Sequence, residues 1–214
     1  MPTLHGASLS PFVRKVRVAL AEKGIEYELN PVSPFHPPEG FRKISPLGKI
    51  PVFQDGEFTV PDSSVICLYL ERKYPEPPLY PREARAYARA LWYEEYSDTQ
   101  LMSAAAPIFF NRVIKAKILK QPIDEERVQQ QLTQALPDVF TYLEQKIAGQ
   151  EFLADGMFSI ADCAVVSHLQ GLRHAGVAVA ADRWPHLAEY AEQHGARPAF
   201  QSCFEEEAKL IASL

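Results

Sequence analysis

The sequence predicts an N-terminal α/β domain followed by an all-helical domain. Short strand patterns and two helical patterns alternate up to residue 74, in the order βαβ, loop, ββα. A proline-rich segment then interrupts the chain at 75–81, where four of the seven residues are proline and no helix can continue. Every periodic segment after it has apolar residues at steps of three and four, which is the helical spacing.

The first strand, helix and strand form one unit. A short run over 2–7 precedes a helical stripe of apolar residues over 11–23. Gly24 ends that helix, because glycine accepts the left-handed backbone of a helix C-terminus. Residues 25–32 form the second strand. Strands joined by a helical crossover run parallel, so this pair is predicted to be parallel.

A loop and a hairpin complete the first domain. Residues 31–38 hold four prolines and are predicted to be a loop, and 41–44 form at most a short helix. Asp55-Gly56, between two short apolar runs, predicts a β-hairpin with a tight turn. Residues 62–74 then form the second helix.

The rest of the chain is predicted to be helical. Helical patterns cover 84–120, 128–147, 159–175 and 185–194. Pro107 is predicted to kink or break the first of these helices, and Pro137 to bend the second. The expected domains are residues 1–76, the α/β domain, and residues 84–214, the helical domain.

Composition narrows the range of partners. The net charge of −5 argues against a nucleic acid as the main partner. The basic residues Arg14, Lys15 and Arg17 on the first helix are predicted to form a solvated face with an internal ion pair. No apolar stretch is long enough to span a bilayer, no signal peptide is recognisable, and no His, Cys or carboxylate spacing indicates a metal. The three cysteines are far apart, which favours free thiols in a reducing compartment.

A serine at the start of the first helix is the main chemical candidate. Ser10 is a favoured N-cap and Pro11 a favoured first helical residue, so capping alone explains the pair. The same hydroxyl would lie beside unpaired N–H groups and the positive end of the helix dipole, where a thiolate is stabilised. Ser10 would then donate a hydrogen bond to a sulfur anion rather than act as a nucleophile. Ser8, two residues earlier, is the second candidate.

Two further motifs lie where a strand and a helix begin, and both offer polar groups that could bind a ligand. Ile50-Pro51 precedes a strand, and the bond between these residues is either trans, as most are, or cis. Asp62-Ser63 opens the second helix with good N-cap residues, and an anion could bind at that N-terminus. Simple capping also explains this pair.

Together these motifs resemble a known family. Ser10-Pro11-Phe12 after the first strand is similar to the motif of serine-type cytosolic glutathione transferases, especially the plant tau-like and related bacterial groups. Ser159 and Asp162 resemble the capping box of that family's C-terminal domain. The resemblance implies a thioredoxin-like first domain, a cytoplasmic homodimer, glutathione as co-substrate and no metal. It implies no nucleic-acid or membrane partner.

The resemblance also implies roles for site residues. Ser10 would be the catalytic residue, and glutathione would be bound by Phe12, Lys49, Ile50, Pro51, Asp62 and Ser63. The backbone of Ile50, before a cis proline, would hold the cysteinyl part, and Lys49 would reach the glycine carboxylate. Asp62 would take the γ-glutamyl ammonium, and Ser63 the neighbouring carboxylate.

The second substrate is expected in an apolar site between the domains. The candidates are Tyr93, Tyr96, Phe109, Phe110 and Arg112, although aromatic residues at helical spacing also suit a core. The implied activity is transfer of glutathione to a hydrophobic electrophile, with reduction of organic peroxides as an additional activity. A non-catalytic glutathione-binding or regulatory module and a glutathione-dependent isomerase or dehalogenase are the alternatives.

Overall fold

The computed structural model describes residues 1–154 and 156–214. Its four-stranded sheet has the order β2-β1-β3-β4. The strands are β1 (Thr3–Gly6), β2 (Glu28–Pro31), β3 (Val52–Asp55) and β4 (Phe58–Pro61). β1 and β2 are parallel, as predicted, and β3 is antiparallel to both its neighbours. The predicted hairpin is confirmed: Asp55 pairs with Phe58, and Gly56 has a φ of 63°.

Helices cover the sheet and form the rest of the chain. They are α1 (Pro11–Glu22), α2 (Ser63–Lys73), α3 (Ala84–Tyr96), α4 (Met102–Phe109), α5 (Glu125–Gln130), α6 (Leu136–Ile147), α7 (Ile160–His174), α8 (Pro185–Gly195) and α9 (Pro198–Ala212). A 3₁₀ turn covers Phe41–Lys43, and π-helical turns cover Ser97–Leu101, Phe110–Ile118 and Gln131–Ala135. The predicted thioredoxin-like sheet domain followed by a helical domain is confirmed.

The two prolines that were predicted to disturb helices, Pro107 and Pro137, both lie within helical segments. Pro107 lies inside α4, and helical turns continue on both sides of it, so the predicted break is absent from this described segment. Proline removes one backbone donor, and the Asn111 side chain, in the wider turns that follow, donates to the Pro107 carbonyl at 2.8 Å. Pro137 lies in the first turn of α6, directly after the π-helical turns of Gln131–Ala135.

Helix α1 lies at the centre of the molecule. It packs against α2 on the sheet side and against α7 and α9 of the helical part. Apolar residues from β1 and α1 belong to the same buried cluster as those of α7 and α9. The middle of a helix enclosed in this way, residues 13–20, is buried on every side, and this includes its polar residues.

The basic residues of α1 are therefore buried, and the prediction that they form a solvated face is wrong. Arg14, Lys15 and Arg17 are 0%, 1% and 7% exposed. The internal ion pair is confirmed: Arg14 Nε lies 2.7 Å from Glu207 Oε1 on α9. Apolar periodicity did not predict α9, although it supplies this carboxylate.

The three cysteines are free thiols, as predicted, and all three are buried. Burial raises the pKa of the Cys67 thiol well above its ordinary value. Among the described helices, none combines the length and the apolar character needed to cross a bilayer. The capping box at the start of α7 is confirmed: the Ser159 N–H donates to Asp162 at 2.8 Å.

Candidate functional site

An open cleft of about 1000 Å³ lies between the sheet domain and the helical domain. This volume is at the upper end of the roughly 300–1,000 Å³ typical of small-molecule sites. Its walls come from the turn before α1, the loop before β3, the start of α2, the segment from α3 to α4, and α7. Most of the predicted site residues line it, namely Ser10, Phe12, Lys49, Ile50, Pro51, Asp62, Ser63, Phe109 and Phe110.

Ser10 caps α1 at one end of this cleft. Its backbone is extended, and its Oγ accepts a hydrogen bond from the Val13 N–H at 3.4 Å. The accepting oxygen keeps its own O–H proton, which can be donated to an anion in the cleft. Ser8 is placed differently: it does not belong to the described lining, and its Oγ donates to Glu206 of α9 at 2.7 Å. The geometry favours Ser10.

The loop before β3 forms a second wall. The Ile50-Pro51 bond is cis, as the resemblance implied. The Ser45 hydroxyl donates to the Lys49 carbonyl at 2.7 Å, which fixes the loop next to the cleft. Arg42 also lines the cleft, so two exposed cations, Arg42 and Lys49, lie on this side. The sequence did not point to Arg42, because a lone arginine in a polar loop gives no pattern.

The start of α2 forms the third wall. The Asp62 carboxylate caps the helix, with Oδ1 accepting from the N–H groups of Ser64 at 3.0 Å and Val65 at 3.2 Å. Both bonds end on Oδ1, so Oδ2 can face a ligand cation. Asp62 has a φ of 79°, a conformation that costs a non-glycine residue about 1–3 kcal/mol and is concentrated at functional sites. Ser63 follows as the first residue of α2 and is buried at the cleft.

A buried charge network links this helix start to the helical domain. Lys15 Nζ lies 2.8 Å from Glu94, 2.6 Å from Asp98 and 3.1 Å from the Ser64 hydroxyl. Burial alone would lower the pKa of Lys15, but the two carboxylates outweigh it and hold that pKa above its ordinary value. The network fixes Ser64, next to Ser63, against α3 and the turns that follow it.

His168 lies at the floor of the cleft. Its Nε2 is 3.2 Å from Asp98 Oδ1, and its ring meets the Phe12 ring edge-on at 5.4 Å between centroids. Burial lowers the pKa of His168, and the charge and hydrogen bond of Asp98 offset this only in part. Sequence reasoning did not identify this residue, because a single histidine on an apolar helix has no distinguishing pattern.

The helical wall is apolar but differs from the prediction. Phe109 and Phe110 line the cleft, together with Met102, Ala105, Ala106 and Ile114. Tyr93, Tyr96 and Arg112 do not belong to its described lining. Tyr93 lies in the core, Tyr96 stacks on Tyr142 at 4.5 Å, and Arg112 contacts the Ala175 carbonyl. The cleft face follows positions 98, 102, 105 and 109, at helical steps that exclude 93 and 96. After 109 the turns are π-helical and wider, and the lining continues at 110 and 114 rather than at 112.

Gly171, one turn after His168 on α7, also lines the cleft. Its φ is not positive, and a Cβ there would meet nothing within 4 Å. Gly171→Ala is therefore expected to stabilise the fold by about 0.5–1 kcal/mol, because alanine restricts the unfolded chain more than glycine. Urea unfolding followed by circular dichroism measures this change.

Gly195→Ala in the last turn of α8 is the matched control, since its Cβ would touch the Phe204 ring at 3.4 Å and gain less. A loss of stability in Gly171→Ala would contradict the open geometry at this position.

Within the described residues, no three His, Cys, Asp or Glu side chains are grouped so that they could hold a metal ion.

Comparisons with known proteins agree on one family. The model of the glutathione S-transferase N-terminal domain matches residues 4–78, and that of the C-terminal domain matches 108–207. Glutathione S-transferase Z1 of Arabidopsis thaliana is 30% identical over 203 residues, covering 92% of this chain and 88% of the relative.

Two solved structures of glutathione S-transferases are also similar to this chain in three dimensions. A glutathione S-transferase from Rhodospirillum rubrum aligns with a TM-score of 0.85 and 29% identity, over 95% of this chain and 91% of the other. Another structure, described as glutathione S-transferase-I bound with lactoylglutathione, aligns with a TM-score of 0.84 and 26% identity, over 95% and 98% of the two chains.

Proposed function

Because the chain belongs to the glutathione S-transferase family, we propose that it is a serine-type enzyme, with the tau-like Ser-Pro-Phe motif, that transfers glutathione to a hydrophobic electrophile. Members of this family use glutathione as substrate. The observation that carries the proposal is the convergence of Ser10, Ile50 and Ser63, from three separate segments, on one cleft. Each segment offers a polar group of the kind that one part of glutathione requires.

Glutathione would lie along the sheet side of the cleft. The γ-glutamyl carboxylate would accept from Ser63 at the N-terminus of α2, and the ammonium would meet Asp62 Oδ2. The backbone of Ile50 would hold the cysteinyl part in the manner of an added strand. The glycine carboxylate would face the two cations Lys49 and Arg42. The similar structure that carries lactoylglutathione supports a ligand of this class.

The sulfur would then lie at Ser10. A thiolate there would accept the hydroxyl proton of Ser10 in a hydrogen bond and would face the positive end of α1. Both interactions favour the charged form of sulfur over the neutral thiol. They would lower its pKa, so that more thiolate is present at neutral pH.

The acceptor would occupy the apolar helical side. Met102, Phe109 and Phe110 form the surface that an apolar electrophile would bury, and organic peroxides with apolar groups fit the same surface. We further propose the domain division into residues 1–76 and 84–214, and a homodimer as the assembled form.

Glutathione affinity tests the proposed binding mode. Ser63→Ala is expected to raise the Kd of reduced glutathione about 10- to 100-fold, because a hydrogen bond to a charged group is worth roughly 1.5–3 kcal/mol. Isothermal titration calorimetry gives the Kd directly.

Ser202→Ala is the control, because that hydroxyl donates to Ala199 within α9. It should leave the Kd unchanged. A wild-type protein that binds no glutathione at millimolar concentration would contradict the proposed function.

A further inference from the structure

Two phenylalanines from different domains meet across the cleft. Phe35 lies in the proline-rich loop after β2, Phe110 lies just after α4, and their ring centroids are 5.9 Å apart. Both residues line the cleft, and neither belongs to the described hydrophobic core. The pair is therefore part of the cleft rather than of the packing that holds the domains together.

This aromatic pair lies at the opposite end of the cleft from the start of α2. The Ser64 hydroxyl donates to Asp98 at 3.3 Å, which places position 98 of the helical wall beside the helix that would bind the γ-glutamyl group. Phe110 follows after an unbroken run of helical turns, about 18 Å further along the axis. The cleft is thus elongated, with polar groups at one end and two aromatic rings at the other.

The sulfur of bound glutathione would lie near the polar end. Phe12, two residues after Ser10, meets the His168 ring at 5.4 Å between centroids, and His168 contacts Asp98. A sulfur at Ser10 would therefore lie near the level of Met102, one turn after Asp98 on the helical wall.

The wall between this level and the aromatic pair suits an alkyl chain. From Met102 to Phe110 it is about 12 Å long, which is the length of an extended chain of about eight to ten carbons. Beyond Asp98, the helical wall of the cleft contains no charged residue among those the structure describes. Ala105 and Ala106 have small side chains, which leave room along its middle. This surface would bury an uncharged chain favourably.

We propose that Phe35 and Phe110 form the end wall of the acceptor site, the apolar helical side of the cleft, and limit the length of the alkyl chain that the second substrate carries. This inference rests on the proposed function. The chain begins at the carbon that bonds to sulfur and runs along the helical wall until it meets the two rings. Each CH₂ group buried before that point adds affinity, and each one beyond it adds none.

S-Alkylglutathiones test this limit, because their sulfur already carries the chain and no reaction is needed. Isothermal titration calorimetry gives the Kd of each member from S-methyl to S-tetradecyl. In the wild-type protein the Kd should fall about fourfold for each added CH₂ group. This fall should stop at about eight to ten carbons, where the chain reaches the rings.

Phe35→Ala removes one ring of the end wall. It should move the limit about two to three carbons further, so that the members just past the wild-type limit gain about tenfold in affinity. Phe110→Ala should move the limit in the same direction. The Kd of S-methylglutathione should change less than about threefold in both variants, because its short chain does not reach the pair.

Phe58→Ala is the matched control. Phe58 and Phe35 are both 50% exposed, and the Phe58 ring also has an aromatic partner, Tyr69, at 5.1 Å. Phe58 does not belong to the described lining of the cleft, so its removal should leave the chain-length limit unchanged. If neither Phe35→Ala nor Phe110→Ala folds, the wild-type series decides.

Four results would overturn the proposal: a wild-type Kd that falls without a limit up to the longest chain, a wild-type limit of fewer than about five carbons, a limit that Phe35→Ala and Phe110→Ala leave in place, or an equal shift in Phe58→Ala. Each of these leaves the proposed function standing if glutathione itself binds. A wild-type protein that binds neither glutathione nor S-methylglutathione would contradict both.

Discussion

Ser10→Ala is expected to raise the apparent pKa of the thiol of bound glutathione by about one to two units. A hydrogen bond to a charged group is worth roughly 1.5–3 kcal/mol, and one pKa unit corresponds to about 1.4 kcal/mol. Turnover near neutral pH should fall about 10- to 100-fold with the thiolate fraction. The Kd of glutathione should change little, because the peptide would be held mainly through Ile50, Asp62 and Ser63. The measurement is the thiolate absorbance of bound glutathione across pH.

Ser8→Ala is the matched control for this titration. Ser8 donates to Glu206 instead of facing the cleft, so its removal should leave the thiol pKa unchanged. If Ser8→Ala moves the titration and Ser10→Ala does not, the wrong serine has been assigned. If neither does, the backbone N–H groups at the start of α1 stabilise the sulfur, and Ser10 acts only as a cap.

The parts of the fold that sequence reasoning predicted are those governed by local chemistry. Asp55-Gly56 predicts its hairpin because the turn needs a residue with positive φ. Gly24, with a φ of 64°, ends α1 for the same reason. Ser10 and Asp62 mark helix starts because their side chains accept from the first free N–H groups. Such signals need only neighbouring residues, so the sequence contains them completely.

The incorrect or missing parts depend on contacts between distant segments. The segment that forms α9 has Glu207 at a buried position where an apolar residue would continue its stripe, so apolar periodicity does not reveal the helix. Because α9 was not predicted, no acidic partner for Arg14 could be identified, and the basic face of α1 was therefore predicted to be solvated. The position of Tyr96 outside the cleft depends on the packing of α3 on α6, shown by its stacking on Tyr142. The hydrogen bond of His168 likewise depends on Asp98, a residue from a distant segment of the chain.

Glu207→Gln is expected to destabilise the protein by about 3–5 kcal/mol, because it leaves Arg14 as a buried charge without an ionic partner. Both side chains are fully buried and joined by two hydrogen bonds of 2.7 and 2.8 Å. His174 also contacts Glu207, at 2.7 Å, and Arg14 contacts the Ser167 carbonyl, so the pair joins α1, α7 and α9. Thermal unfolding should show a fall in Tm of about 6–20 °C.

Glu206→Gln is the matched control for this loss. Glu206 is the adjacent residue on α9, and its side chain is 47% exposed while it pairs with Arg17. Arg17 is buried, but the Glu206 carboxylate reaches water and Arg17 also donates to the Tyr27 hydroxyl, so the loss should be smaller than that of Glu207→Gln. A Glu207→Gln variant as stable as Glu206→Gln would show that the Arg14 charge finds compensation elsewhere.

The pH dependence of the free energy of unfolding is a second, independent test of the Arg14–Glu207 pair. Burial alone would raise the pKa of Glu207, but the Arg14 charge and the His174 hydrogen bond outweigh it and hold that pKa below its ordinary value. The stabilisation is therefore complete above the unfolded-state pKa of about 4.3 and is lost as the pH falls through the lower folded-state pKa. The wild-type protein should lose this contribution on acidification, whereas Glu207→Gln has none to lose, so the two stabilities should converge at low pH.

The double variant Arg14→Met with Glu207→Leu removes both charges and should cost less stability than Glu207→Gln alone. A double variant that costs the sum of the two single changes would show that the charges act independently, contrary to their contact.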